Sequence, residues 1–254
     1  MGGNKCEGII LTLRDHHLLE ELEILKLVDR EQAKLFAPFT STTRANARLL
    51  ALTRAGLLKR TFVGTINGGR KAIYFLPGQH HRALRRQLLV RDRAVAHQLA
   101  ANQVYHAFRY ASPPQSGVQF VEWRTIQKVL SPAVPLIPDG IVRFRTPVGE
   151  QVGCVEVDLG TESLRVWDRK VEMYLHLARR GEHRSLFEIE RFKVLIVVSG
   201  ARRLESIRAR VVRQTQKLFW LATMAGVCGP GVWNPIWVRP LGDFTSRINC
   251  FPPE

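Results

Sequence analysis

Apolar positions recur at three- and four-residue steps after Asp15: Leu18, Leu19, Leu22 and Leu25 fall on one face, and Asp15 can cap the helix they predict. Asp29 can cap a second, short helix that carries Ala33, Leu35 and Phe36 and ends at Pro38. A third helix, capped by Ser41 or Thr42, runs through Ala45, Leu49, Leu50 and Leu52 to a stop at Gly56. The pattern then changes. Residues 57–63 and 71–76 are β-rich runs on either side of Asn67-Gly68-Gly69, which is a hairpin signal.

Beyond the hairpin, residues 82–110 read as a long helical stretch that starts basic and ends with Val104, Tyr105, Ala107 and Phe108. A Pro- and Gly-containing loop at 112–117 follows, and the pattern turns β at 118–123, 140–144 and 152–157. A helix is predicted from about Arg165 to Ala178, a strand at 192–198, a helix over 205–225 and a last strand at 235–238. This order predicts an α/β domain with a central mixed sheet flanked by helices. Three short helices and a hairpin ahead of it describe a winged helix-turn-helix. The expected division is therefore 1–80 for a winged helix-turn-helix DNA-binding domain and 81–254 for the α/β domain.

Composition adds one strong constraint. The 254 residues hold 38 Lys+Arg against 22 Asp+Glu, a net charge of +16, which points to a polyanionic partner and to nucleic acid before membrane. The excess is concentrated: no acidic residue occurs between Glu31 and Asp92, while 12 basic ones fall between Lys34 and Arg91. The longest apolar run, Val194 to Val198, is far short of the ~20 residues of a membrane span. Arg14, Asp15, His16 and His17 close the first apolar stretch, so it does not read as a signal peptide. Cys6, Cys154, Cys228 and Cys250 contain no CxxC pair, which argues against a zinc knuckle or a disulfide framework. The absence of a Walker-type loop argues against ATP-driven work, and the eight histidines show no metal-ligand spacing. The expectation is a soluble, cytoplasmic protein.

In a helix-turn-helix the later helix enters the major groove, and here it begins Thr42-Thr43-Arg44-Ala45-Asn46-Ala47-Arg48. Arg can bond guanine and Asn adenine, while hydroxyls and Lys bind phosphates. Ala45, Leu49 and Leu52 would face the core, leaving Thr43, Arg44 and Arg48 outward. Arg70 and Lys71, at the hairpin turn, are suited to the adjacent minor groove or backbone. The DNA-binding candidates are thus Thr42, Thr43, Arg44, Asn46, Arg48, Arg70 and Lys71, with double-stranded DNA as partner. The alternative is a protein-interaction module whose arginines are a solvated face; it leaves the net charge unexplained.

Acidic residues concentrate the chemistry of the second domain. Asp139 starts one strand and Glu156 and Asp158 lie on the next, where period-2 alternation sends both to one face. Asp139, Glu156 and Asp158 could share Mg²⁺ or Mn²⁺, which would activate a water and stabilise charge on a scissile phosphate. Three acids aimed at one place are electrostatically costly unless a metal or other cation sits among them.

Pro138-Asp139 followed by Glu156-Val157-Asp158 resembles the PD-(D/E)xK nuclease core, and Lys170-Val171-Glu172-Met173-Tyr174 is similar to the Gln-x-x-x-Tyr element of its RecB-like branch. With the N-terminal pattern, Asn102-Gln103-Val104, Ile137-Pro138-Asp139 and the run from Val155 to Glu162, the chain resembles the replication-relaxation family of plasmid and mobile-element proteins over about residues 10–215. The resemblance implies a metal-dependent DNA endonuclease or nickase directed by a winged helix. Asp139, Glu156 and Asp158 would hold the metal, and a relaxase, transposase or replication protein would be a partner; a homodimer is also open. One departure stands out. Asp158 occupies the position of the family's Lys, which normally positions the attacking water and offsets transition-state charge. Lys170 can supply a migrated ammonium, with Tyr174 at i+4 on the same face and Arg165 and Arg169 as further candidates. The competing reading pairs Lys170 with Glu156 or Asp158 as a buried ion pair. The protein is then a non-catalytic DNA-binding accessory or regulator of plasmid replication or mobilisation, on a nuclease fold that kept its shape and lost its chemistry.

Overall fold

The structure is a computed structural model, and it describes residues 9–65, 68–78, 92–113 and 117–241. Asn67, His80, His81, Cys6, Cys250, the segment 82–91 and residues 114–116 of the predicted loop lie outside the described residues. Contacts divide the chain into two compact units, Met1–Asn102 and Gln103–Glu254.

The first unit contains α1 (Leu13–Leu25), β1 (Val28–Asp29), α2 (Arg30–Phe36), α3 (Thr42–Arg54), β2 (Lys59–Gly64) and β3 (Arg70–Phe75). The first half of α4 (Asp92–Tyr110) belongs to the same unit. The three helices and the hairpin follow the predicted order. A short strand not anticipated from sequence, β1, joins the hairpin edge to give an antiparallel sheet of order β1-β3-β2. Leu18, Leu22 and Leu25 of α1, Ala33 and Phe36 of α2, and Ala45, Leu49 and Leu52 of α3 are buried.

Two local expectations are corrected. Thr12, not Asp15, caps α1; Asp15 is the reciprocal member of the capping box, accepting from the Thr12 amide at 2.7 Å. Leu35 is 51% exposed, because a seven-residue helix packed through Gln32, Ala33 and Phe36 turns position 35 outward. The caps at Asp29 and Ser41 are present, accepting from the amides of Gln32 (2.8 Å) and Arg44 (3.2 Å).

The division at Asn102 falls later than the expected 80/81 because the start of α4 is tied into the first unit. Gln32 Nε2 donates to the Leu99 carbonyl (2.6 Å), and Asn102 Nδ2 donates to the Leu27 carbonyl (2.7 Å) and to Gln32 Oε1 (3.0 Å).

The second unit is built on a five-stranded mixed sheet of order β4-β5-β6-β7-β8. Its strands are β4 (Gln119–Arg124), β5 (Gly140–Thr146), β6 (Gly149–Asp158), β7 (Phe192–Val198) and β8 (Phe219–Thr223). The first three pair antiparallel, and β6-β7 and β7-β8 pair parallel. Parallel neighbours need crossovers. These are α5 (Leu164–Arg180) followed by the short α6 (Glu182–Phe187), and α7 (Ala201–Val212); α8 (Met224–Cys228) follows β8. α5 and α7 cover one face through Trp167, Val171, Tyr174, Leu177, Leu204, Ile207 and Val211. The end of α4 packs on the other face, with Tyr105 edge-on to Trp123 (5.5 Å between centroids) and Phe108 stacked on Phe144 (6.2 Å).

The predicted helix over 205–225 is corrected: α7 ends at Val212, and Phe219–Thr223 is the strand β8. A strand buried on both faces shows a continuous apolar run, which periodicity alone does not separate from a helix. The predicted last strand is present only as isolated bridging at Trp237 and Val238, with Val238 paired to Leu221. Among the described residues, no helix is long and apolar enough to cross a membrane.

Candidate functional site

β6 carries the acids. Its alternation sends Cys154, Glu156 and Asp158 toward the α5/α7 face, and the β5–β6 register, Gly140 opposite Val155, sets Asp139 beside Glu156. Asp139 is fixed by its backbone: its amide donates to the Val155 carbonyl (3.0 Å), and its Oδ2 accepts from the Val157 amide (2.7 Å). Gly140 follows because the Trp123 indole lies over it; a Cβ there would come within 2.0 Å of the ring.

Glu156 is 2% exposed, and both its oxygens are engaged from α5. Lys170 Nζ donates to Oε2 (2.9 Å) and the Tyr174 hydroxyl to Oε1 (2.6 Å). Lys170 and Tyr174 lie one turn apart on the helix, so both reach the same carboxylate. Lys170 also bonds Glu162 (3.0 Å) and rests over the Trp167 ring, 5.0 Å from its centroid. Burial pushes the Glu156 carboxyl above its ordinary range and Asp139 adds to this, against the opposing pull of Lys170 and Tyr174. For Lys170, burial favours the neutral amine, but Glu156 and Glu162 overcome it and raise the ammonium's pKa. The Tyr174 hydroxyl is pushed well above its usual value by burial and by Glu156.

Asp158 belongs to a different constellation. Its side chain is fully buried and paired with Arg203 of α7, whose Nη2 lies 2.6 Å from Oδ2 and whose Nε lies 3.1 Å from Oδ1. The Trp167 indole N–H and the Gly160 amide also donate to it. Gly160 is at φ +85°, the left-handed turn that brings its amide back onto Asp158. Burial alone would raise the Asp158 carboxyl; Arg203, Trp167 and Gly160 outweigh it and lower it.

The four predicted catalytic residues therefore divide. Asp139, Glu156 and Lys170 are brought together, whereas Asp158 is bound by Arg203. Both oxygens of Glu156 and of Asp158 accept from protein donors, as does one oxygen of Asp139. Among the described residues, no group of three His, Cys, Asp or Glu side chains is placed to hold a metal ion. Arg203, Trp167 and Glu162 were not singled out for these contacts from sequence. Arg203 stands 45 residues from its partner, and only the β6-β7 pairing, which starts α7 beside the end of β6, could have found it.

The cationic candidates of the first unit divide as well. Thr42, Thr43, Arg44 and Asn46 are exposed at the start of α3, with Arg44 Nη1 donating to Thr40 Oγ1 (3.0 Å) and Lys34 Nζ to Thr42 Oγ1 (3.3 Å). Arg48 turns back onto α1, bonding Asp15 through Nε (2.9 Å) and Nη2 (2.5 Å) and the Ile10 carbonyl (2.6 Å). Asp15 is buried, which would raise its carboxyl; Arg48 and Thr12 overcome this and hold it at about 2. Lys71 pairs with Asp29 (2.8 Å) and Arg70 is exposed. Asn46, Phe62 and Arg70 line a hollow of about 370 Å3.

The sequence model of the replication-relaxation family matches residues 12–187. Comparison with curated proteins and with solved structures gives no match.

Proposed function

The chain belongs to the replication-relaxation family, and from that premise we propose that it is a DNA-binding accessory protein of a plasmid or other mobile element. It acts in replication or relaxation of that DNA without cutting it. The first unit is a winged helix-turn-helix that docks the start of α3 in the major groove of duplex DNA, with Thr42, Thr43, Arg44 and Asn46 toward the bases and phosphates and Arg70 toward the flanking backbone. The second unit is a PD-(D/E)xK-like scaffold on which a relaxase, transposase or replication protein can dock.

One observation carries the non-catalytic assignment: the acids of β6 are already neutralised by side chains of this chain, Glu156 by Lys170 and Asp158 by Arg203. A divalent cation at Glu156 would have to share the carboxylate with Lys170 and Tyr174. A second reading, a metal-dependent endonuclease or nickase, is favoured by the juxtaposition of Asp139, Glu156 and Lys170, two carboxylates and an ammonium at one sheet edge.

Supercoiled plasmid incubated with Mg²⁺ or Mn²⁺, wild type beside Glu156→Ala, tests the choice. The expected result is retarded DNA in a gel with no nicking. Nicking by wild type that disappears in Glu156→Ala would establish the endonuclease instead, and a wild type that neither nicks nor retards DNA would overturn both.

A further inference from the structure

The hairpin carries a second cationic feature, which the α3 candidates do not include. On an antiparallel ribbon, residues two apart share a face and diagonal neighbours come within reach of long side chains. Arg60 and Phe62 share the outer face of β2, and Phe62 lies opposite Ala72, with Arg70 one step further along β3. The small Ala72 leaves room beside the ring. Both guanidiniums lie over the Phe62 ring, the Arg60 carbon 5.1 Å and the Arg70 carbon 5.6 Å from its centroid. Phe62 is 44% exposed, an unusual position for a large aromatic side chain unless it organises its neighbours or meets a ligand.

Like Arg44, the two arginines differ from four other cations of the unit in having no acidic partner among the described residues. Arg48, Lys71, Arg30 and Lys34 each pair with a carboxylate, of Asp15, Asp29, Glu31 and Glu31 respectively. Among the described residues, no carboxylate pairs with Arg60 or Arg70; Asp29 and Glu31, which line the same hollow as Arg70, are held by Lys71, Arg30 and Lys34. Two exposed guanidiniums steadied by one ring form a pre-organised pair of charge-assisted donors. Arg forks match the oxygens of phosphodiesters, and pre-organisation removes part of the ordering cost of binding.

We propose that Arg60 and Arg70 form a two-cation clamp for the sugar–phosphate backbone of duplex DNA, and that Phe62 is its positioning residue. The clamp rests on the proposed DNA-binding function, extends it to β2, and supplies affinity that does not depend on base sequence. Phe62 acts through the arginines and touches no phosphate.

The test is the salt dependence of duplex binding by the full chain, read as the slope of log K against log salt. Each phosphate contact contributes about 0.9 to that slope. The Arg60→Ala/Arg70→Ala double variant is expected to lower it by roughly 1.8. Phe62→Leu keeps both charges, so it is expected to weaken binding about three- to tenfold with the slope retained, and Phe62→Tyr to restore affinity. Circular dichroism and melting temperature confirm that each variant folds. Wild-type binding with a steep slope that the double variant leaves unchanged would overturn the clamp while sparing the function of α3. A wild type that shows no salt-dependent duplex binding would overturn both. If Phe62→Leu abolishes binding to single-stranded DNA while the arginine variants keep the wild-type slope, the ring is a base-stacking platform and the clamp is wrong.

Discussion

Ionic side chains meet two fates in this protein, and a pair of sites in each unit sets them side by side. In the second unit, Glu156 and Asp158 are buried in a sheet and each is matched by a cation of the same unit, Lys170 or Arg203. In the first unit, Arg44, Arg60 and Arg70 stand exposed with no carboxylate pairing among the described residues, although Arg48 and Lys71 nearby are paired. Burial makes the difference. A buried charge must find a partner inside the fold or change its protonation state, whereas an exposed one can wait in water for a ligand. A charged residue in a suggestive motif is therefore evidence of binding or chemistry only after its internal partners are counted.

The sharpest way to break the comparison is to strip a buried acid of its cation. Arg203→Ala leaves Asp158 in the core with only the Trp167 and Gly160 donors, and is expected to destabilise the protein by about 3–5 kcal/mol, read as the midpoint of urea unfolding. The pH dependence carries a sign. Because the Asp158 carboxyl is lowered in the fold, its contribution is present above the ordinary carboxylate pKa and lost as pH falls through the lowered value. Arg203→Ala should flatten this acid limb. An unfolding midpoint unchanged by Arg203→Ala would show that the pair contributes nothing.

Lys170→Met should cost less, about 2 kcal/mol at neutral pH, because Glu156 keeps the Tyr174 bond and can take up a proton. Its carboxyl is already raised, so the folded state holds that proton more tightly than the unfolded chain, and this contribution weakens as pH rises through the raised value. The loss in Lys170→Met should therefore shrink on acidification. Adding Glu156→Gln should recover most of it, giving a strong coupling in the double-mutant cycle. Additive single effects would mean that Lys170 answers to Glu162 and not to Glu156.

How far the sequence reached follows the same division. The helices of the first unit, the caps at Asp29 and Ser41, and the strands β5, β6 and β7 are written in local periodicity and turn chemistry, and were legible. So was the approach of Asp139 to Glu156, since adjacent strands and a two-residue period suffice to predict it. The ion pairs were legible only in part. Lys170 could be named as a partner for either acid because it is close in sequence, but Arg203 reaches Asp158 across 45 residues and Arg48 reaches Asp15 across 33. Those distances are bridged by strand order and helix packing, which no local window contains. β8 was missed for a related reason: a strand buried on both faces loses the alternation that identifies it.

Within α3, Arg48 and Arg44 restate the comparison one helical turn apart. Arg48→Ala removes the partner of a buried carboxylate whose pKa is held at about 2, a contribution of at most about 2 kcal/mol that is present above 3.8 and lost as pH falls toward 2. It should lower thermal stability at neutral pH and leave the duplex affinity of the folded protein unchanged. A tenfold loss of affinity in a folded Arg48→Ala protein would return Arg48 to the DNA surface.

Arg44→Ala should do the reverse, with the smallest energetic effect of the series. The side chain is exposed and donates to the hydroxyl of Thr40, itself at the surface, so its removal should shift stability by less than about 0.5 kcal/mol. Its contribution is to the proposed complex: a guanidinium at the start of the docking helix contributes about 1 kcal/mol or more if it reads a base, a five- to tenfold loss in duplex affinity. Base reading and phosphate binding separate on sequence dependence. Loss confined to particular duplex sequences marks Arg44 as a reader, whereas equal loss on all sequences, with the salt slope reduced by about 0.9, marks a backbone contact. Unchanged affinity on every sequence would remove α3 from the DNA surface and leave the cations of the hairpin as the determinant of binding.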